Sequence, residues 1–160
     1  MRITIAILTV MLTCSTAFSQ FKIGPNIGIP LFDASDYYSL EAGIDLLYLF
    51  GDNPDALLKF GVASGFYNYF GDEIDGFDID DSQFIPIAGA ARIIVLKTLV
   101  VGPDIGYAVG ISDDSEGAFY WKLVAGIDLG NVIELTAFVH GIPESGFTYG
   151  AAGLGLLFEF

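Results

Sequence analysis

Bases are scarce in this chain. Lys and Arg number 6 against 20 Asp and Glu, a formal net charge of −14. Binding to nucleic acid requires clustered cations to neutralise phosphates, and the sequence has no such cluster, so that function class is excluded. Cysteine occurs once, at Cys14, and histidine once, at His140. A mature chain without Cys14 can form neither a disulfide nor a thiolate metal site. Long apolar runs are missing too: the longest, Ile3 to Leu12, is about half of the roughly 20 residues a membrane helix requires. Apolar residues are nevertheless abundant, at 53% of the chain, with 14 Phe, 8 Tyr and 20 Gly. So acidic a protein can carry so much apolar surface only if charge and hydrocarbon are segregated along the chain.

The first twenty residues read as a secretory signal peptide over residues 1–20, leaving a single domain over 21–160. Arg2 supplies the positive end, Ile3 to Leu12 the apolar core, and Ala17-Phe18-Ser19 a small-residue cleavage site. An uncleaved anchor helix and lipidation at Cys14 are the alternatives. Met11-Leu12-Thr13 before the cysteine departs from the usual lipidation pattern.

Beyond Gln20 the hydrophobic period is two, the signature of half-buried strands. The stretch Phe147 to Phe160, FTYGAAGLGLLFEF, shows it most clearly. Leu154, Leu156, Phe158 and Phe160 fall on one face; Gly153, Gly155, Leu157 and Glu159 fall on the other. Eight such segments are expected: Phe21–Ile29, Tyr38–Phe50, Leu57–Tyr69, Gln83–Val95, Leu99–Ile111, Ala118–Leu129, Val132–His140 and Phe147–Phe160. Pro86 predicts a bulge or an irregular strand end, since it removes a ladder donor. Short connections (GDNPD, LKT, GN) alternate with longer acidic ones. Parity demands a three-residue loop or a bulge at Gly130-Asn131, because a two-residue turn would pair Asp128 with Ile133.

These segments predict an all-β fold, an eight-stranded antiparallel up-and-down transmembrane β-barrel. Strands of about 9–11 residues suffice to cross the hydrocarbon. A soluble carrier barrel would alternate in the same way, so the inside face must be argued. An eight-stranded barrel has room only for filling side chains or one small ligand, and the bulky Ile, Leu, Val, Phe and Tyr set is too large for that volume. The other face is rich in Gly and Ala and carries the charges Lys22, Glu41, Asp45, Lys59, Arg92, Asp104, Lys122, Asp128, Glu134 and Glu159. A base facing lipid at the midplane costs about 2–4 kcal/mol, so the charged face is expected to line the lumen. There the charges should pair. Lys22 is expected beside Glu159 on barrel closure, and Arg92 beside Asp104 across the Leu96-Lys97-Thr98 turn. Tyr48, Phe50, Phe60, Phe119, Trp121, Phe158 and Phe160 read as interfacial girdles.

The closing residues Gly155-Leu156-Leu157-Phe158-Glu159-Phe160 resemble the G-x-x-aromatic-x-aromatic end of bacterial outer-membrane barrels. With the signal peptide and the eight segments, the chain from Phe21 to Phe160 resembles small outer-membrane β-barrel proteins of the OmpA and OmpX type. The resemblance implies an integral outer-membrane protein with periplasmic termini and extracellular acidic loops. It also implies surrounding lipids that include lipopolysaccharide, and recognition by the barrel assembly machinery through the strand ending at Phe160. It is weak for activity, because the group includes structural, adhesive and lipid-modifying members.

Few constellations suggest chemistry. His140, Glu134 and Ser145 hold the residue types of a lipid-modifying barrel enzyme. Six residues along a strand span about 20 Å, however, too far for Glu134 to orient His140. Asp72, Asp75, Asp78, Asp80 and Asp81, with Glu73, could offer carboxylates to a divalent cation but lack EF-hand spacing; the preferred reading is a solvated charge run. No cofactor is expected. The reading is a non-enzymatic barrel with a lumen plugged by paired charges and a structural or surface-interaction role. A small ion-conducting pore, a lipid-modifying enzyme and a soluble carrier are the alternatives.

Overall fold

The computed structural model describes residues 21–160 except 52, 54, 114 and 131. The expected signal peptide over residues 1–20, with Cys14, lies outside the described residues. Eight long strands form the barrel: β1 (Phe21–Pro30), β2 (Tyr38–Leu49), β3 (Leu58–Gly71), β6 (Ser82–Val95), β7 (Leu99–Gly110), β8 (Gly117–Leu129), β9 (Ile133–Glu144) and β10 (Phe147–Glu159). Two short strands, β4 (Glu73–Ile74) and β5 (Phe77–Asp78), make a hairpin within the β3–β6 connection. Each long strand pairs antiparallel with its sequence neighbour, and β1 pairs with β10, so the sheet closes without a free edge.

Alternation dictates which residues meet water or oil. In β1, Lys22, Gly24, Asn26 and Gly28 are buried, whereas Ile27 and Ile29 are exposed. In β7, Gly102, Asp104 and Ala108 are buried while Val101, Ile105 and Tyr107 are exposed. The exterior is therefore apolar and the interior holds Lys22, Arg92, Lys122, Glu41, Asp45, Asp104 and Glu134. A water-soluble barrel has the opposite arrangement. An apolar wall around a polar axis is that of a membrane-spanning barrel, where lipid solvates the outside and closure satisfies the backbone.

The glycine-rich face has a more specific cause than a narrow lumen. A Cβ added at Gly24 would sit 1.7 Å from the Leu156 carbonyl oxygen, and one at Gly102 would sit 1.8 Å from that of Ala91. The neighbouring backbone occupies the place of the missing side chain. Glycine on this face lets strands coil tightly around a small axis.

Two local expectations are settled by the register. Asp128 pairs with Glu134 and Leu129 with Ile133, which makes the β8–β9 connection a three-residue loop with both carboxylates inside. Pro86 makes no bulge, contrary to expectation. The β3–β6 ladder runs from Ser64↔Ile87 to Tyr67↔Phe84 in one register, and the Ser64 hydroxyl donates to the Pro86 carbonyl at 2.8 Å. A side-chain donor bridges the strands there while the strand itself continues. The irregularity falls at Ser39 instead, where the register shifts between Tyr38 and Leu40. That extra residue turns Tyr38 from the outer parity to the interior.

The connections at the two rims differ. On the side of the termini lie residues 50–57, the Leu96-Lys97-Thr98 turn and the β8–β9 loop. The opposite rim carries a 3-10 turn at Phe32–Asp36, the β4–β5 hairpin, the 111–116 loop and the β9–β10 turn. The last is shorter than expected. Pro143 and Glu144 belong to β9, and Ser145-Gly146 alone make the turn, with Gly146 at φ +85°.

Candidate functional site in the barrel lumen

Four polar groupings and an aromatic layer follow one another along the axis from the termini side to the loop side. At the first level Lys22 projects from β1 at the closure seam. Its Nζ lies 2.7 Å from Glu134 Oε2, 3.1 Å from Glu159 Oε2 and 3.4 Å from Asp128 Oδ2. Glu159 is its ladder partner across the seam; Glu134 and Asp128 come from β9 and β8. A single ammonium thus serves three carboxylates, using its three donors.

Arg92 and Asp104 form the second grouping. Arg92 Nη1 donates to Asp104 Oδ1 at 2.6 Å and Nη2 to Oδ2 at 3.1 Å, with both residues 3% exposed. Asp104 stands opposite Ala90 in the β6–β7 ladder, so the pair meets diagonally on the inner face. The planar fork matches the carboxylate, a geometry that lysine does not supply.

The third grouping crosses the lumen. Lys122 on β8 donates to both carboxylate oxygens of Asp45 on β2 at 2.8 Å. The Tyr67 hydroxyl donates to Asp45 Oδ1 at 2.8 Å and lies 2.9 Å from that of Tyr120. The Lys122 ammonium also sits 4.4 Å from the Phe138 ring centroid, a cation–π contact. Both buried charges of this grouping thus have an opposite charge and further polar or aromatic contacts, as ions taken out of water require.

The fourth grouping pairs His140 Nε2 with Glu41 Oε2 at 3.3 Å, both residues fully buried. The rings of Tyr67, Tyr69, Tyr120 and Phe138 surround the imidazole. Above it Tyr38, Tyr69, Phe84 and Tyr149 pack in edge-to-face and tilted contacts, and the hydroxyls of Tyr38 and Ser82 lie 2.7 Å apart. This layer lies on the loop side of the histidine. A cavity of about 20 Å³ lies between Asp45, Tyr67, Arg92, Asp104, Tyr120 and Lys122. That is room for about one water molecule, since a water needs roughly 10–15 Å³ by the same measure.

The structure thus brings Lys22, Glu41, Asp45, Arg92, Asp104, Lys122, Asp128, Glu134 and Glu159 into the lumen as four groupings. Lys59 stands apart: it is half-buried at the rim on the termini side, and among the described residues no ion pair reaches it. The pairs joining Lys122 to Asp45 and His140 to Glu41 were not foreseen, because each links strands that are far apart in the sheet. A period-two reading assigns a side chain to the lumen but not to a height along the axis. The catalytic inventory is also rearranged. Glu134 faces Lys22, His140 faces Glu41 from another strand, and Ser145 lies exposed in a turn.

Two carboxylates of the acidic connection accept hydrogen bonds from β3 and from the connection itself. Asp81 accepts from Asn68 Nδ2 and from the Gly71 amide, each at 3.0 Å, and Asp72 Oδ1 accepts from the Glu73 amide at 2.8 Å. Asp75 and Gly76 form the tip of the β4–β5 hairpin with φ of +52° and +82°. Asp78 lies opposite Glu73 on that hairpin, and Asp80 precedes Asp81 outside it. Among the described residues no three acids gather as a metal site.

Solved structures share this architecture. The N-terminal β-barrel domain of Pseudomonas aeruginosa OprF superposes with a TM-score of 0.57 at 16% identity, covering 89% of this chain and 98% of that one. Ail, the attachment invasion locus protein of Yersinia pestis, superposes in its crystal structure with a TM-score of 0.56 at 16% identity, covering 88% and 97%. The fold is that of the small eight-stranded outer-membrane barrels. Ail solved as an outer-membrane protein in a phospholipid bilayer nanodisc gives the same TM-score, 0.56, at 16% identity, covering 87% and 99%. No family profile matches the chain, and no curated protein matches it in sequence.

Proposed function

We propose that this protein is a non-enzymatic, integral β-barrel of the bacterial outer membrane with a structural or surface-interaction role. Its lumen is plugged by paired charges, its termini face the periplasm and its acidic connections face outward. Lipids, including lipopolysaccharide, surround its wall, and the barrel assembly machinery receives it through the strand that ends at Phe160. The observation that carries this reading is the inverted polarity of the barrel, an apolar wall around an axis filled by the four charge groupings and the tyrosine layer. A filled axis supports a scaffold over a conduit, and a fully buried His140 supports a packing role over catalysis.

The decisive test reconstitutes the purified protein in planar bilayers after checking that it needs detergent and runs as a heat-modifiable band. Folding into lipid without stepwise currents is expected. Discrete unitary currents would replace the scaffold with a small pore, and solubility without amphiphiles would end the membrane reading. Lipid A from cells expressing the protein should be identical with His140→Ala; a difference would establish the enzymatic alternative.

A further inference from the structure

Six bases are present in the whole chain. Arg2 lies outside the described residues, while Lys22, Arg92 and Lys122 are consumed in the lumen. The remaining two, Lys59 and Lys97, lie at the same rim, Lys59 at the start of β3 and Lys97 in the turn after β6, where the Ile94 amide donates to the Leu57 carbonyl at 2.8 Å. Lys97 is occupied, since its ammonium meets Asp55 at 2.5 Å. Lys59 is the one base among the described residues with no carboxylate partner, in a chain where acids outnumber bases more than threefold.

Its surroundings have two characters. Lys59 borders an open pocket of about 270 Å³ together with Phe50, Gly51, Asn53, Ala56, Leu58 and Phe60. Phe50, Leu58 and Phe60 belong to the outer, lipid-facing parity and are 54%, 48% and 59% exposed. Gly51 and Asn53 belong to the polar connection beyond the strand end. An apolar wall leading into hydrocarbon, a polar rim and an ammonium with no acid beside it among the described residues together define an amphiphile site. Lysine stems lie along apolar surface while the head group seeks the interface, and a base at that depth attracts anionic lipid.

We propose that this pocket binds one phosphate-bearing lipid of the leaflet on the side of the termini. Lys59 engages the phosphate, and the acyl chains run along Phe50 and Phe60. The pocket volume suits a head group and excludes whole chains, which stay on the barrel wall. A free phosphate satisfies the ammonium alone and leaves the apolar wall unused. The inference rests on the membrane reading above, which places this rim at the periplasmic leaflet.

Native mass spectrometry of the folded barrel, released from nanodiscs containing phosphatidylglycerol and phosphatidylcholine, tests the site. Folding is verified first by heat-modifiable mobility, so failure to fold rejects the membrane reading separately from the lipid site. Wild type should retain a phosphatidylglycerol adduct. Lys59→Gln should lose it by about fivefold, the effect of one base near an anionic leaflet, and Lys97→Gln should keep it. Equal retention by Lys59→Gln and wild type overturns the site, as does equal loss in both variants. Displacement of the adduct by millimolar inorganic phosphate overturns the assignment of a lipid.

Discussion

Replacing Arg92 by methionine tests the orientation of the barrel most directly, because the two possible orientations predict opposite signs. In the structure, Arg92 and Asp104 are joined by two short hydrogen bonds and screened from solvent at 3% exposure each. Removing the cation strands a carboxylate in the lumen, and breaking a buried pair costs about 3–5 kcal/mol. The double replacement Arg92→Met with Asp104→Leu removes both charges and leaves an apolar contact. Such exchanges are often close to neutral. Arg92 also donates to the Ala91 and Pro103 carbonyls at 3.0 and 3.3 Å, which adds about 1 kcal/mol to the loss in either variant. The double variant should therefore lie much nearer wild type than either single one. Were the charged face turned to lipid, removing the arginine would instead stabilise the barrel by about 2–4 kcal/mol. Urea titration of protein folded in lipid vesicles, followed by the fluorescence of Trp121, measures the cycle. An Arg92→Met variant as stable as wild type, or a double variant as damaged as the sum of the singles, would refute the reasoning.

Leu154 stands in the middle of β10 at 58% exposure, opposite Ile27 on the outer face. Leu154→Arg should destabilise the vesicle-folded barrel by about 2–4 kcal/mol while changing little in the lumen, again read from urea midpoints. Gly102→Val forces the Ala91 carbonyl aside and should cost about 1–3 kcal/mol or more; an unchanged midpoint would show that the strands do not approach as closely as described.

The strand count, the alternation and the side on which charge resides were all readable, because a period of two places each residue on a face without knowledge of its partner. Two pairings were readable as well. Lys22 meets Glu159 because the first and last strands of a closed up-and-down barrel must adjoin, and Arg92 meets Asp104 because a short turn joins their strands. The Asp45–Lys122 and Glu41–His140 pairs were hidden, since their axial heights depend on strand tilt and stagger. Strict alternation puts Tyr38 outside, and it lies inside for a local reason: one extra residue at Ser39 reverses parity, and nothing in a serine announces a bulge. Pro86 illustrates the converse. A residue expected to interrupt a strand is tolerated because the Ser64 hydroxyl supplies a bridge from the neighbouring strand. The glycines were rightly placed on the inner face. Their deeper cause, the carbonyl of the adjoining strand, depends on coiling that composition does not reveal.

The tripod around Lys22 also bears on the order of assembly. The acids that neutralise it are 106, 112 and, at Glu159, 137 positions downstream, as the numbering of Lys22 and Glu159 gives. The ammonium placed near the start of the cylinder is therefore left naked until the last quarter of the polypeptide has docked. A cylinder closed prematurely with fewer staves would trap that charge alone. The ring thus carries its own latch, which engages only when every stave is in place.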